Sequence, residues 1–414
     1  MTESRTKPVD HNTLWVLTEA YRPEEISTAY YLTSIAEGLA TDRPVKVLTG
    51  QPKHLSRGKT APKRERANGV EIIRVWGTTL DKNFIVYRLF NMLTIGLSMF
   101  IRSVRSFKKG DHVLVVTAPA SLPVTTALAA LLKGSSFTLL VQDSYPEVLI
   151  AVGALEPDGL FTGVLNSVNR WVYKYATSII VLGRDMKELF LRKTAGLDVP
   201  IVTIPNWADL EAIHPTPRSA NPLLDQLGIA HKFVLMNAGN IGLLTDVETI
   251  VECAEQLLDK DEFHFVFVGA GVKRKWLETR IADRSLKNIT VLDYMPHDER
   301  IVLLNACDMG LVASIKDMDG AAMPCRTYNI MAAGKPILGV TEKASELAKI
   351  IDEEDIGLYV DPGDVMGLKA AIIELCDSRD RLNEMGLRAR RAAELKYSLS
   401  VGVENYRRAL EPQR

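Results

Sequence analysis

The sequence predicts an α/β protein built from two parallel, helix-covered sheets that face each other across a cleft. Three observations predict it. Strand and helix patterns alternate through both halves, as crossover connections between parallel strands require. At 414 residues the chain is too long for one ordinary core, so two domains are expected. Periodicity lapses near the middle, over residues 206–222, where Pro215, Pro217 and Pro222 fall. The expected organisation is an N-terminal domain at 1–205, a linker at 206–222, a C-terminal domain at 223–397 and a last helix at 398–414.

In the first half, residues 14–18 form a short apolar run, the first expected strand. A turn-rich segment follows, and Ser27 or Thr28 is placed to cap a helix running to about residue 40. Residues 45–49 and 70–76 read as strands. The Lys-, Arg- and Pro-rich stretch between them, 51–68, reads as a mobile loop. Residues 84–107 are the most apolar helical stretch, but the uncharged run 89–101 is shorter than the roughly 20 residues that cross a bilayer. Further strands are expected at 112–117, 137–141, 178–182 and 201–204, with helices such as 166–176 and 185–193 among them.

Beyond the break the alternation resumes. Strands are expected at 233–236, 263–268, 289–292, 309–313, 337–340 and 358–360. Helices are expected at 246–258, 273–282, 346–351, 365–375 and 398–410. Within this half, residues 320–338 read GAAMPCRTYNIMAAGKPIL. Pro324 suits a first helical position because it has no N–H to lose. A short helix over 325–333 then ends at Gly334, and a strand follows. Such a helix start at a sheet edge offers free N–H groups to an anion beside Arg326.

Composition narrows the function classes. Apolar residues make up 47% and the formal net charge is −1, so nothing draws the whole molecule to nucleic acid. The cysteines, Cys253, Cys307, Cys325 and Cys376, form no C-x-x-C pair and read as thiols in a reducing compartment. The polar first dozen residues lead to no apolar signal core, so the cytoplasm is the expected location.

Several segments carry chemistry. Residues 238–248 (AGNIGLLTDVE) place glycines between a strand and a helix, where loop amides can meet a phosphate; Thr245 and Glu248 have capping-box spacing. No cation lies in that loop. Residues 268–275 (VGAGVKRK) repeat the arrangement with Lys273 and Arg274 at the next helix start, where they either reach a diphosphate or form a solvated face. Asp143 lies just past a buried strand, a costly place for a carboxylate unless it is bonded or functional; it either caps the loop or orients an acceptor hydroxyl. Asp317 and Asp319 have a metal-bridging spacing, but a match this short predicts no metal. Residues 84–107, ending in Arg102, Arg105, Lys108 and Lys109, together with the basic stretch 53–66, suit a lipid surface as well as they suit a core helix and a loop.

Taken together, residues 21–40, 142–155, 204–215, 238–250, 264–278, 323–338 and 360–372 resemble the family 4 glycosyltransferases, which have the GT-B fold of two facing Rossmann-like domains. The resemblance is to the bacterial branch that builds colanic acid, O-antigen and exopolysaccharide. It implies retaining transfer of a sugar from a nucleotide donor, UDP-linked, to a lipid-linked or saccharide acceptor, with no cofactor and no obligatory metal. It also implies peripheral contact with the cytoplasmic face of the inner membrane, no nucleic acid, and a last helix that packs back on the N-terminal domain. Gly239 and Gly242 would face the diphosphate, with Arg326 as the cation. Asn240, Lys273 and Thr327 would complete the donor side, Tyr294 would border the base and Asn329 the ribose. Glu25, Ser27, Thr28 and Asp143 would face the acceptor, and Asp143 and Arg326 would be catalytic.

The sequence departs from that pattern in three places. Asn329 stands where many members carry a ribose-binding glutamate, and a second glutamate is missing near Ala321. Ser27 and Thr28 stand where glycines are common. Arg326 stands where related branches have lysine. The missing glutamates and the filled N-terminal loop leave open a non-catalytic sugar-nucleotide-binding or scaffold subunit of a polysaccharide assembly complex. A UDP-sugar epimerase of similar two-domain fold fits less well, because the seven histidines form no obvious cluster.

Overall fold

The runs LWVL (Leu14–Leu17) and FHFVFV (Phe263–Val268) are buried along their whole length, as strands covered on both faces must be. They lie in two sheets of a computed structural model that describes residues 12–52, 60–80, 85–296 and 299–411. Among these residues the first sheet holds β1 (Leu14–Leu17), β2 (Val45–Thr49), β3 (Arg64–Ala67), β4 (Val70–Arg74), β5 (His112–Val116), β6 (Ser136–Leu140), β7 (Ser178–Val181) and β8 (Ile201–Thr203), in the spatial order β3-β4-β2-β1-β5-β6-β7-β8. The chain between them forms α1 (Ser27–Leu39), α2 (Ile85–Ser106), α3 (Ser121–Lys133), α4 (Glu147–Ala151), α5 (Leu160–Tyr175) and α6 (Arg184–Lys193).

The second half begins with α7 (Pro222–Leu227). Its sheet holds β9 (Phe233–Ala238), β10 (Phe263–Val268), β11 (Ile289–Leu292), β12 (Met309–Ala313), β13 (Ile337–Val340) and β14 (Gly357–Val360), in the order β11-β10-β9-β12-β13-β14. Helices α8 (Val247–Gln256), α9 (Arg274–Arg284), α10 (Arg300–Ala306), α11 (Arg326–Ala332), α12 (Glu346–Glu354) and α13 (Val365–Cys376) alternate with these strands, and α14 (Arg379–Leu395) and α15 (Leu399–Ala409) close the chain. Strand order reverses between β1 and β5 in one sheet and between β9 and β12 in the other. In open parallel sheets ligands collect at such switch points, beyond the carboxyl ends of the strands.

The strand pairs are parallel apart from β3 with β4, which pair antiparallel through Asn68 and Gly69. Both turn residues have positive φ, 48° and 82°, the twist a two-residue hairpin needs. This corrects the loop expected over 51–68: residues 64–67 are an edge strand, while 53–59 lie outside the described residues. The exposed Arg64 and the ion pair of the buried Arg74 with Glu65 at 2.7 Å show why a charged edge strand forms without an apolar pattern.

The two halves share packing. Trp207, just past β8, is fully buried and meets Tyr31 edge-on at 5.1 Å and Tyr406 at 6.2 Å. Ala208 donates its amide to the Tyr397 carbonyl at 2.8 Å, so residues 206–213 are packed in place. Helix α15 lies on α1, where a side chain at Gly38 would come within 2.7 Å of Val403. Arg407 of α15 pairs with Asp42 at 2.5 Å. The cysteines are all free thiols. No helix among the described residues is long and apolar enough to cross a membrane.

Candidate active site

The carboxyl ends of the two sheets meet through backbone contacts. Asp143, just past β6, forms an antiparallel bridge with Ala322, and the Ser144 amide donates to the Ala321 carbonyl at 2.7 Å. Val148, Met318 and Ala321 form a small buried cluster there, with Leu244 and Ile315 against it. The segment after β6, the loop after β9 and the stretch after β12 are thereby held together. Asp185 adds a polar tie: its Oδ2 accepts from the amides of Gly320 (3.1 Å) and Glu346 (2.9 Å).

The two glycine-bearing loops lie against each other. The Gly239 amide donates to the Val268 carbonyl (2.8 Å) and the Ile241 amide to the Ala270 carbonyl (2.9 Å). Gly269 sits at φ +135°, and a Cβ there would lie 2.0 Å from the Gly239 carbonyl oxygen. Only glycine permits that approach. Gly269→Ala is therefore expected to lower stability by about 2–5 kcal/mol, from overpacking and backbone strain together. Denaturant titration checks this, and a midpoint equal to wild type would contradict the close approach.

Arg326 is the first residue of α11 and reaches back to the loop after β9. Its guanidinium donates to Asn237 Oδ1 at 2.7 Å and to the Asn240 carbonyl at 3.1 Å. A Cβ on Gly239 would stand 3.1 Å from its Cζ, so this glycine, at φ +139°, leaves room for the guanidinium. Among the described residues Arg326 has no carboxylate partner, and burial lowers its pKa. Arginine nonetheless keeps its proton in proteins. The result is a fixed, unpaired cation beside the exposed Gly239 and Asn240. The amides of Asn240 and Gly242 donate to no acceptor among the described residues.

The other expected donor-side residues divide. Asn329, on α11, is half-buried and its side-chain amide makes no hydrogen bond among the described residues. Tyr294 is exposed and its hydroxyl meets the Glu25 carbonyl at 3.4 Å, so the expected base-side and acceptor-side residues touch across the cleft. Gly242 does not face the cleft: it is buried, and a Cβ there would lie 2.7 Å from Asn240 Nδ2. Lys273 is not offered to a diphosphate, because its ammonium donates to Glu248 (2.8 Å) and to the Thr245 carbonyl (2.9 Å). Arg274 is likewise paired, with Glu278 at 2.8 Å and Asp293 at 2.7 Å. Thr327 is fully buried, and its hydroxyl and amide both donate to the Pro324 carbonyl, at 2.8 and 3.2 Å. It supports the start of α11 and faces away from solvent.

Three expected helix starts also move. Helix α11 begins at Arg326, two residues after Pro324, so the cation at the site belongs to a side chain more than to a helix end. Helix α8 is capped by Asp246, whose side chain accepts from the Thr249 amide; the Thr245 hydroxyl turns instead to the Asn240 carbonyl at 3.0 Å. Helix α1 has Ile26 at its cap position, with Ser27 and Thr28 in its first turn and without side-chain hydrogen bonds among the described residues. The Ser27 side of that turn and Glu25 are exposed.

Asp143 is half-buried, and its carboxylate makes no hydrogen bond among the described residues; its carbonyl accepts from the Thr117 hydroxyl at 3.0 Å. Burial raises its pKa above the usual carboxylate value. The Asp319 carboxyl is pushed up to about 6, first by burial and then by Glu342 and Asp185. Among the described residues no three His, Cys, Asp or Glu are grouped to hold a metal. Sequence reasoning missed Asn237, the buried side chain that fixes Arg326. A polar residue near the end of the apolar run FVLMNA was its only signal. It also missed Arg300, which donates to the Tyr294 hydroxyl at 3.0 Å and to the Glu25 carbonyl at 3.4 Å.

Comparison with known proteins follows the same lines. Residues 224–392 match the family described as glycosyl transferases group 1. WbjE of Pseudomonas aeruginosa, named as a glycosyltransferase, is 30% identical over 332 residues, 80% of this chain and 82% of that protein. WcaI of Escherichia coli K12, named as a glycosyl transferase of colanic acid biosynthesis, is 23% identical over 85% of this chain and 89% of its own. Among solved structures, HepE of Anabaena in complex with UDP and glucose superposes with a TM-score of 0.73 at 15% identity, covering 97% of this chain and 99% of that one. At that identity the likeness shows the fold, which is GT-B.

Proposed function

We infer from its membership of the group 1 glycosyl transferases, the family to which this chain belongs, that it moves a sugar from a UDP-linked donor, with retention at the anomeric carbon, to a lipid-linked or saccharide acceptor in cell-surface polysaccharide synthesis. The enzyme class follows from the family. The polysaccharide role draws on the name of the WcaI relative, and the UDP donor on the HepE complex. One observation carries the site: the unpaired Arg326 guanidinium, fixed by Asn237 and the Asn240 carbonyl beside Gly239. A nucleoside diphosphate leaving group gains negative charge as its bond to the sugar breaks. A preorganised cation and free loop amides lower the barrier by meeting that charge where it develops.

In this reading the amide of the exposed Asn240 joins Arg326 on the diphosphate. Asn329 meets the ribose and Tyr294 borders the base. Asp143 accepts a hydrogen bond from the acceptor hydroxyl and orients it, with Glu25, Ser27 and Thr28 lining the acceptor side. No metal is needed, because Arg326 supplies the positive charge. Membrane contact brings the lipid-linked acceptor to the cleft.

The test is transfer itself. Incubation with UDP-, GDP-, dTDP- and ADP-sugars is expected to give a thermal shift and turnover with a UDP-sugar; a response confined to another nucleotide overturns the donor assignment. Asn329→Glu, which restores a carboxylate toward the ribose, is expected to tighten donor binding about three- to tenfold, since hydrogen bonds to a charged acceptor exceed neutral ones. Unchanged donor affinity and turnover would remove α11 from the ribose.

A further inference from the structure

Two helix starts, one from each half of the chain, meet beside the cleft. Helix α6 begins at Arg184, just past β7, and helix α12 begins at Glu346, past β13. Gly183 stands at the cap position of α6 and has no side chain to offer the first amides. Glu346 supplies an acceptor from the other half. Its Oε2 accepts from the Arg184 amide at 2.7 Å and from the Arg184 guanidinium Nε at 3.0 Å. Asp185 returns the contact: its Oδ2 accepts from the Glu346 amide, the first of α12, while Ser345 caps the same helix at the Ala348 amide. Each helix thus has an acid from the other half at its start, where the dipole favours a carboxylate. Glu346 is only 6% exposed, so water does not take the place of these partners.

The same Asp185 oxygen accepts from the Gly320 amide. The two backbones are close there: at Gly320, where φ is +72°, a Cβ would lie 2.9 Å from the Asp185 carbonyl oxygen. Gly320 opens the segment that ties the two sides of the cleft. The Ala321 carbonyl accepts from the Ser144 amide, Ala322 bridges Asp143, and the chain then enters α11 at Arg326. One carboxylate oxygen therefore fixes the stretch of backbone that runs from the acceptor-side Asp143 to the donor-side cation.

Stability alone does not account for this choice of partners. Among the described residues Asp185 forms no ion pair. Its charge is met by amides, that of Met186 on Oδ1 at 2.6 Å and those of Gly320 and Glu346 on Oδ2. Backbone amides point in fixed directions, whereas pairs of long charged side chains hold little geometry and little energy. Acids also crowd the joint. Asp319 is raised to about 6 by burial and then by Glu342 and Asp185, a repulsion that a contact serving stability alone avoids.

We propose that Asp185, held by Glu346, is a positioning residue for sugar transfer: through Gly320 it sets the segment 320–322, and with it the Asp143 carboxylate, relative to Arg326. The proposal rests on the transferase reading of the preceding subsection. Asp185→Ala is expected to lower kcat about 10²-fold, the cost of a misplacement of about 1 Å between reacting groups. The Kd for UDP is expected to stay within about twofold, as for a distant site. Arg326, Asn237 and Asn240 lie in the second half and hold one another. Asp185→Asn keeps one oxygen for the Gly320 and Glu346 amides and is expected to recover about tenfold of the loss. Should the alanine variant not fold, Glu346→Gln is read the same way, with an expected loss in kcat of about tenfold at unchanged UDP affinity.

Hydrogen exchange reads the same geometry without turnover. In Asp185→Ala, or in Glu346→Gln, the Ser144 and Gly320 amides are expected to exchange about tenfold or more faster, with β9 and β10 unchanged. Wild-type kcat in these variants, a UDP Kd that weakens in step with kcat, or wild-type exchange at Ser144 overturns the proposal. If the wild-type protein transfers no sugar, the transferase reading fails by itself, and exchange at Ser144 still decides whether Asp185 sets the segment.

Discussion

Arg326→Ala lowers kcat/KM for sugar transfer by a factor of about 10²–10³, the usual consequence of removing one preorganised group that meets developing negative charge. The loss is expected mainly in kcat, because the diphosphate is more negative in the transition state than in the bound donor. The fold survives. The substitution leaves the Asn237 Oδ1 without its 2.7 Å partner, which costs roughly 1–3 kcal/mol of stability. Arg326→Lys keeps the charge but lacks the planar fork that reaches Asn237 and the Asn240 carbonyl together. It is expected to fall between wild type and alanine. Steady-state kinetics with a UDP-sugar, alongside melting curves, checks all three. Wild-type transfer by the alanine variant would place the diphosphate elsewhere.

Asp143→Asn abolishes or severely reduces transfer and at the same time raises the melting temperature at neutral pH. The two effects have one cause. Burial raises the Asp143 pKa in the folded protein, so the folded state binds the proton more tightly than the unfolded chain does. Stability from this group is present below the unfolded pKa and is lost as pH rises through the raised folded value. At neutral pH the ionised carboxylate is a burden, and an isosteric neutral amide relieves it. In the proposed reading, transfer uses the ionised form as hydrogen-bond acceptor. The acid limb of the pH–rate profile is therefore expected above the ordinary carboxylate range and to vanish in Asp143→Asn. A variant that is active, or less stable than wild type at neutral pH, would return Asp143 to a loop-capping role.

Much of the fold was legible because period is a backbone property. Strands such as Phe263–Val268, Ile289–Leu292, Met309–Ala313 and Ile337–Val340 stand where the apolar runs placed them. Edge strand β3 escaped, since Arg64–Ala67 has no apolar residue to betray it beyond Ala67. The signal lay in Asn68-Gly69, a dipeptide suited to a type I′ hairpin, followed by the alternating Val70–Arg74.

The site was legible to a lesser degree. Arg326, Gly239 and Asn240 were expected together and are found together. The sequence held no means of telling that Lys273 and Arg274 are neutralised by Glu248 and Asp293, since both acids lie on other elements. Thr327 illustrates the same limit: neighbours in sequence on a helix point 100° apart, so Arg326 faces the loop while Thr327 faces the core. Helix starts were misplaced by one or two residues at α1, α8 and α11, the usual uncertainty of a helix end; at α8 the adjacent Thr245 and Asp246 compete for one cap position, and Asp246 takes it.

The most direct measurement is calorimetric titration of UDP into wild-type protein and into Arg326→Ala. Binding to the wild type, weakened about tenfold or more in the variant with the fold intact, is the expected result for a diphosphate held by this guanidinium. Equal affinity in the two proteins contradicts a donor site built on Arg326 and the loop after β9.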